Sequence, residues 1–192
     1  MRTAILTRKT TETAVELSLD LDGTGRAEIS TGVGFFDHML TLFARHGGFD
    51  LTLRCEGDLD VDPHHSIEDI GIVLGEAVKE ALGDKKGIVR YGSALIPMDE
   101  TLAEAVIDLS GRSFLVFHAA FTAERIGAFP TEMAEEFFRA VADHAGMTLH
   151  LAVRYGKNNH HMAEGLFKAF GHALKDAAAV QGDAILSTKG VL

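Results

Sequence analysis

Apolar residues recur along this chain with two alternating periods. From Thr13 to Leu21 the apolar side chains Val15, Leu17, Leu19 and Leu21 take every second position, the period of a half-buried strand, and Asp22-Gly23 follows as a turn signal. Phe35, Phe36, Met39, Leu40, Leu42 and Phe43 then recur at helical spacing, and Gly47-Gly48 stops that helix. Leu51, Leu53 and Cys55 alternate again as a strand, and Ser66 to Leu82 carries Ile67, Ile70, Ile72, Val73, Leu74, Ala77, Val78 and Ala81 on an amphipathic helix. Later segments repeat the series: strands through Ser93–Asp108 and Phe114–Phe121, a helix over Thr131–Ala145, a strand over Thr148–Tyr155, and a helix from about His160 to Val180.

The repetition extends to the residues themselves. Glu12-Thr13 through Asp20-Leu21-Asp22-Gly23 matches Glu100-Thr101 through Asp108-Leu109-Ser110-Gly111 at an offset of 88. Phe35-Phe36-Asp37-His38 matches Met133-Ala134-Glu135-Glu136, and Gly48-Phe49-Asp50-Leu51 matches Gly146-Met147-Thr148-Leu149, both at 98. His64-His65-x-x-Glu68 matches His160-His161-x-x-Glu164 at 96. Collinear matches of this kind predict two tandem half-repeats, 1–87 and 88–192. The expected fold class is α+β, each half a sheet with helices on one face. No Pro/Ser-rich linker separates the halves, so one shared core is expected.

Composition narrows the partners. The chain has 192 residues and is 46% hydrophobic, enough for a substantial core. Its formal charge of −10 argues against a nucleic-acid or anionic-membrane partner, which would call for surplus Lys and Arg. Cys55 is the one cysteine and has no internal disulfide partner. Neither a signal peptide nor a membrane span is expected, and cytoplasm is the expected compartment.

Two adjacent histidine pairs carry the candidate chemistry. An isolated His-His pair at a helix start is usually solvated. Two such pairs, each with Glu at the same spacing, point to metal. At i, i+3 the second histidine and the glutamate share a helix face, so His65 with Glu68 and His161 with Glu164 are expected to grip one ion each. His64 and His160 are rotated by about 100° from their neighbours and would serve a different ion. His38 and Glu136, matched across the repeat, extend the set to eight ligands and two ions per chain. Imidazole with carboxylate suits Mn²⁺, Fe²⁺ or Zn²⁺ over Ca²⁺, with Mn²⁺ slightly preferred. His46 ends the helix that carries His38 and is a weaker candidate helper.

Arg90, Arg112 and Lys189 stand beside glycines or turns, where fixed cations suit a phosphate monoester. Taken singly, each better suits a surface ion pair. Two other readings compete for the chain. A di-metal carboxylate oxidase uses His and Glu at i, i+3, but it expects four long helices and more carboxylates. A metal-assembled cage without activity is the alternative outside enzymes.

The assembled motifs resemble the imidazoleglycerol-phosphate dehydratase family over nearly the whole chain. They are Glu12-Thr13, Asp20-Leu21-Asp22-Gly23, Gly34-Phe35-Phe36-Asp37-His38-Met39-Leu40, His64-His65-Ser66-Ile67-Glu68-Asp69, Pro97-Met98-Asp99-Glu100, Asn158-Asn159-His160-His161 and Ser187-Thr188-Lys189-Gly190. The resemblance implies a lyase that dehydrates imidazole glycerol phosphate to imidazole acetol phosphate in histidine biosynthesis. It further implies two Mn²⁺ per chain and a homo-oligomer of twenty-four subunits. The implied metal ligands fall on His38, His64, His65, Glu68, Glu136, His160, His161 and Glu164. The implied phosphate contacts fall on Arg90, Arg112, Ser187 and Lys189, and Glu12 matches the active-site glutamate, with His46 a helper. Pro63 and Glu136 depart from the family pattern, which has Asp and His at those places in many members.

Overall fold

The structure is a computed structural model that describes residues 2–190 and 192. The chain runs β1 (Thr3–Lys9), β2 (Thr13–Asp20), β3 (Ala27–Ser30), α1 (Gly34–Gly47), β4 (Asp50–Gly57) and α2 (His64–Leu82). It continues β5 (Tyr91–Met98), β6 (Thr101–Asp108), β7 (Phe114–His118), a short hairpin β8 (Arg125–Ile126) and β9 (Phe129–Pro130), α3 (Met133–Ala145), β10 (Thr148–Tyr155) and α4 (Asn159–Ala178). The class is α+β, consistent with tandem half-repeats. One sheet has the order β1-β2-β4-β3 and the other β5-β6-β10-β7. In each, the last pairing is parallel and the others antiparallel.

Register explains the alternation. Thr13 faces Gly57 and Asp20 faces Asp50 across β2 and β4, so Val15, Leu17 and Leu19 share one sheet face with Leu51, Leu53 and Cys55. That face is covered by α2 and its counterpart in the other sheet by α4, while α2 packs on α3 and α1 on α4. The four helices therefore lie between the two sheets. Glycines set how closely the helices approach. A Cβ on Gly75 of α2 would stand 2.7 Å from the Val141 carbonyl of α3, and one on Gly171 of α4 would stand 2.7 Å from the Phe43 carbonyl of α1. These two positions differ by 96, the offset of the histidine motifs.

Aromatic rings from both halves meet in the middle. Phe36 packs edge-on to Phe137 at 5.1 Å between centroids, and Phe43 stacks on Phe170 at 5.2 Å, within one continuous core cluster. The core is shared, as the missing linker predicts.

Some boundaries differ from the periodicity reading. β1 and β3 carry little apolar signal, because each has an exposed face and only Ala4 of β1 is fully buried. α2 begins at His64, two residues earlier than its apolar pattern, and β7 stops at His118. Among the described residues, no helix is long and apolar enough to cross a membrane.

Candidate metal centre and phosphate cavity

Both histidine pairs sit at helix starts, because an N-terminal turn needs partners for its free N–H groups. For α4 the partner is Asn158, whose side-chain oxygen accepts from the His160 and His161 backbone N–H at 2.9 and 3.3 Å. For α2, Asp62 accepts from the His64 N–H at 2.7 Å. Adjacent residues on a helix diverge by about 100°, so the two imidazoles of each pair point apart.

His160 turns toward Glu164, one helical turn on, with Nε2 and Oε2 3.1 Å apart. α1 brings His38 Nε2 to 3.6 Å from the same oxygen. The ligand atoms of His38, His160 and Glu164 all lie within 4.8 Å of one another. Metal bonds of ~2.1 Å hold neighbouring ligand atoms roughly 3 to 3.5 Å apart, so a small inward movement closes the set on one ion. The other Glu164 oxygen, Oε1, is 2.5 Å from Lys168 Nζ. Burial alone would raise the Glu164 pKa, but Lys168, His160 and His38 outweigh it, and the carboxyl is held below its ordinary value. The group is an anion aimed at two imidazoles.

His161 faces away from Glu164. Its Nδ1 meets Glu100 Oε2 at 2.7 Å, which raises the imidazole pKa and holds the Glu100 carboxyl far below the carboxylate range. In the structure the i, i+4 partner His160, and not His161, meets the Glu164 carboxylate, because on an α-helix side chains four apart lie one above the other. The first half repeats the arrangement. His64 Nε2 is 3.8 Å from Glu68 Oε2, whereas His65 Nδ1 lies 3.0 Å from Asp58 and 3.8 Å from Glu12 Oε2. His65 is raised chiefly by Asp58. Glu136 sits on α3, which packs on α2, and its carboxylate is 4.0 Å from Arg139. Among the described residues, the ligand atoms close into a cluster at His38, His160 and Glu164 and not around Glu136.

His46 lies eight residues beyond His38, about 12 Å along α1. Its Nδ1 is 3.2 Å from His172 Nε2, and burial lowers its pKa. The phosphate candidates do converge. Arg90, Arg112, Ser187 and Lys189 line one cavity of about 600 Å³ with Tyr91 and Leu192. Arg90 adopts a left-handed backbone with φ of 76°, and its guanidinium holds Asp108 at 2.7 Å and the Leu186 carbonyl at 2.7 Å. It is therefore also the tie between β6 and the C-terminal tail.

Asp58, Glu100 and Lys168 join the candidate site through their contacts with His65, His161 and Glu164, and no histidine motif marks them in the sequence. Glu100 was visible as the repeat partner of Glu12, and Lys168 stands at the next i, i+4 step after Glu164. Asp58 has no repeat partner that signals it.

An α+β chain that gathers two imidazoles and a carboxylate at one helix start, with a cationic cavity elsewhere, is consistent with the class of metal-dependent enzymes. The sequence model described as imidazoleglycerol-phosphate dehydratase matches residues 31–174. A curated imidazoleglycerol-phosphate dehydratase of Clostridium acetobutylicum is 57% identical over 193 residues, covering 98% of this chain and 97% of its own. That of an Exiguobacterium species is 60% identical, with 99% and 98% covered. The crystal structure of the Staphylococcus aureus enzyme superimposes with a TM-score of 0.85 at 45% identity, covering 93% of this chain and 99% of that one. The Pyrococcus furiosus enzyme, solved in complex with (S)-C348, gives 0.85 at 34%, with 97% and 100% covered. The chain belongs to the imidazoleglycerol-phosphate dehydratase family, whose members are hydro-lyases.

Proposed function

We propose that the chain dehydrates D-erythro-imidazole glycerol phosphate to imidazole acetol phosphate in histidine biosynthesis, with two Mn²⁺ ions per chain. The observation that carries this reading is the convergence of His38, His160 and Glu164 on one point in a chain of this family. The proposed ligands are His38, His64, His65, Glu68, Glu136, His160, His161 and Glu164, and the proposed halves are 1–87 and 88–192.

The hydroxyl that leaves is on the carbon attached to the imidazole ring, and the proton lost is on the next carbon, which is not acidic by itself. A metal held by residues such as His38, His160 and Glu164 would supply Lewis-acid stabilisation of the negative charge the ring takes on when it loses its N–H proton. Ring electrons then assist departure of the hydroxyl, which leaves as water once protonated. Loss of the adjacent C–H proton and return of a proton to the ring nitrogen give an enol that ketonises. Glu12 is suited to move these protons, because its carboxylate is half exposed and stands beyond hydrogen-bond distance from His65. His46 is a lesser candidate, being about 12 Å along α1 from His38. Arg90, Arg112, Ser187 and Lys189 hold the phosphate and so fix the orientation of the ring.

Geometry within one chain supports a homo-oligomer. Arg90 N–H bonds to the Ala177 carbonyl near the end of α4, seventeen residues or about 26 Å along the helix from His160. Ring and phosphate of the substrate are separated by only three carbons and an ester oxygen, a span of roughly 6 Å at ~3.5 Å per three extended bonds. Cavity and metal cluster of one chain are too far apart to serve one substrate molecule, so the complete site draws on neighbouring copies. Twenty-four subunits and a cytoplasmic location complete the reading.

The test is turnover of imidazole glycerol phosphate by metal-free and Mn²⁺-loaded protein, alongside Glu12→Gln with its metal content measured. Expected are activity only with metal and a fall of at least a hundredfold in kcat for Glu12→Gln at unchanged metal content. Near-native turnover by that variant removes Glu12 from the chemistry.

A further inference from the structure

Glu12 and Glu100 hold matching places in the two halves, each immediately before the threonine that opens β2 or β6, yet their surroundings differ. Glu100 is fully engaged. Its Oε1 accepts from the Lys157 and Asn158 N–H at 3.0 and 2.8 Å and from the Thr101 hydroxyl at 3.0 Å, while Oε2 accepts from His161 Nδ1 at 2.7 Å. Glu12 Oε2 is 3.8 Å from His65 Nδ1.

Two sequence differences produce this asymmetry. The first is in the loop ahead of each histidine pair. Residues 156–158 join β10 to α4 in a short link that delivers two N–H groups to Glu100, whereas residues 58–63 join β4 to α2 in a longer one that opens with Asp58. The Asp58 N–H donates to the Glu12 carbonyl at 3.1 Å, and its carboxylate takes His65 Nδ1 at 3.0 and 3.2 Å. The second difference is Asp69, which stands where the other half has Gly165. Asp69 is buried, pairs with Arg8 at 2.8 Å and binds the Thr13 hydroxyl. It thereby draws Thr13 away from Glu12, whereas Gly165 leaves the Thr101 hydroxyl to Glu100.

We propose that Asp58 and Glu100 are positioning residues that fix the imidazoles of His65 and His161 with Nε2 free for metal, and that Asp58 thereby releases Glu12 for chemistry. The physical basis is general: a carboxylate on one ring nitrogen sets tautomer and ring orientation and makes the other nitrogen the better donor. The inference rests on the two-metal reading above.

Mn²⁺ titration of the metal-free full-length protein without substrate, followed by calorimetry and by the Mn²⁺ EPR signal, tests it. Wild type is expected to take up two ions. Asp58→Asn and Glu100→Gln are each expected to weaken one ion by about 10- to 100-fold, the usual cost of losing such a partner. Asp58→Glu, which restores a carboxylate, recovers most of the loss, a rescue that a merely structural role would not give. A loss under fivefold in either neutral variant overturns the inference while leaving the two-metal reading intact. Failure of wild type to bind two ions removes both. Should Asp58→Asn not fold, Glu100→Gln decides by the same fivefold line.

Discussion

Replacing Glu164 by Gln separates the structural and metal-binding parts of this site. The carboxylate side chain is 8% exposed, touches Lys168 at 2.5 Å and faces His160 at 3.1 Å and His38 at 3.6 Å. Glutamine keeps the shape and removes the charge. Without metal, the variant loses a charge-assisted bond worth about 1.5–3 kcal/mol and leaves Lys168 largely buried without its counterion. In a chain of this size about 2–4 °C accompanies each kcal/mol, so Tm should fall by roughly 3–12 °C. Metal adds a second effect. An ion present at a hundred times its Kd stabilises the folded chain by about 2.7 kcal/mol. Losing even a ligand's partner costs 10- to 100-fold, so losing the ligand itself is set at about 100-fold. The same metal concentration then contributes only about 0.4 kcal/mol. Differential scanning calorimetry with and without Mn²⁺ measures both quantities. A variant whose Tm rises with Mn²⁺ as much as that of wild type refutes Glu164 as a ligand.

Arg112 is exposed and its nearest carboxylate, Asp108, is 3.9 Å away, so Arg112→Ala should leave stability within about 0.5 kcal/mol. If it grips phosphate, KM should rise at least tenfold with little change in metal affinity, and steady-state kinetics reads this directly. Lys85 is buried, donates to the Leu109 carbonyl at 3.2 Å, and has its pKa lowered first by burial. The unfolded chain then binds this proton more tightly than the folded one, so the Lys85 contribution to stability rises with pH from the lowered folded value up to 10.5. Wild type should accordingly gain stability relative to Lys85→Met over that interval. Urea unfolding of both at several alkaline pH values checks this, and a pH-independent difference refutes it.

Local signals were strong wherever burial imposes a period. The β2, β4, α1 and α4 segments were legible because one face of each is packed, and the tandem organisation was legible because two sets of motifs recur in the same order. β1 and β3 were not, since mostly solvated edge strands carry polar residues without periodic penalty.

The sequence by itself determined the α+β class and the family, and it singled out the histidines, carboxylates and cations of the candidate site, because residue chemistry and repeat spacing are properties of the chain. It did not determine that His38 joins His160 and Glu164, or that His161 meets Glu100. The first contact depended on α1 packing against α4 at Gly171, and the second on the link from β10 to α4, which lies against Glu100. Nor did it show how differently Glu12 and Glu100 are held. Their surroundings part company only in three dimensions, where Asp58 reaches His65 and Asp69 takes the Thr13 hydroxyl, contacts between residues far apart in sequence that no local pattern encodes.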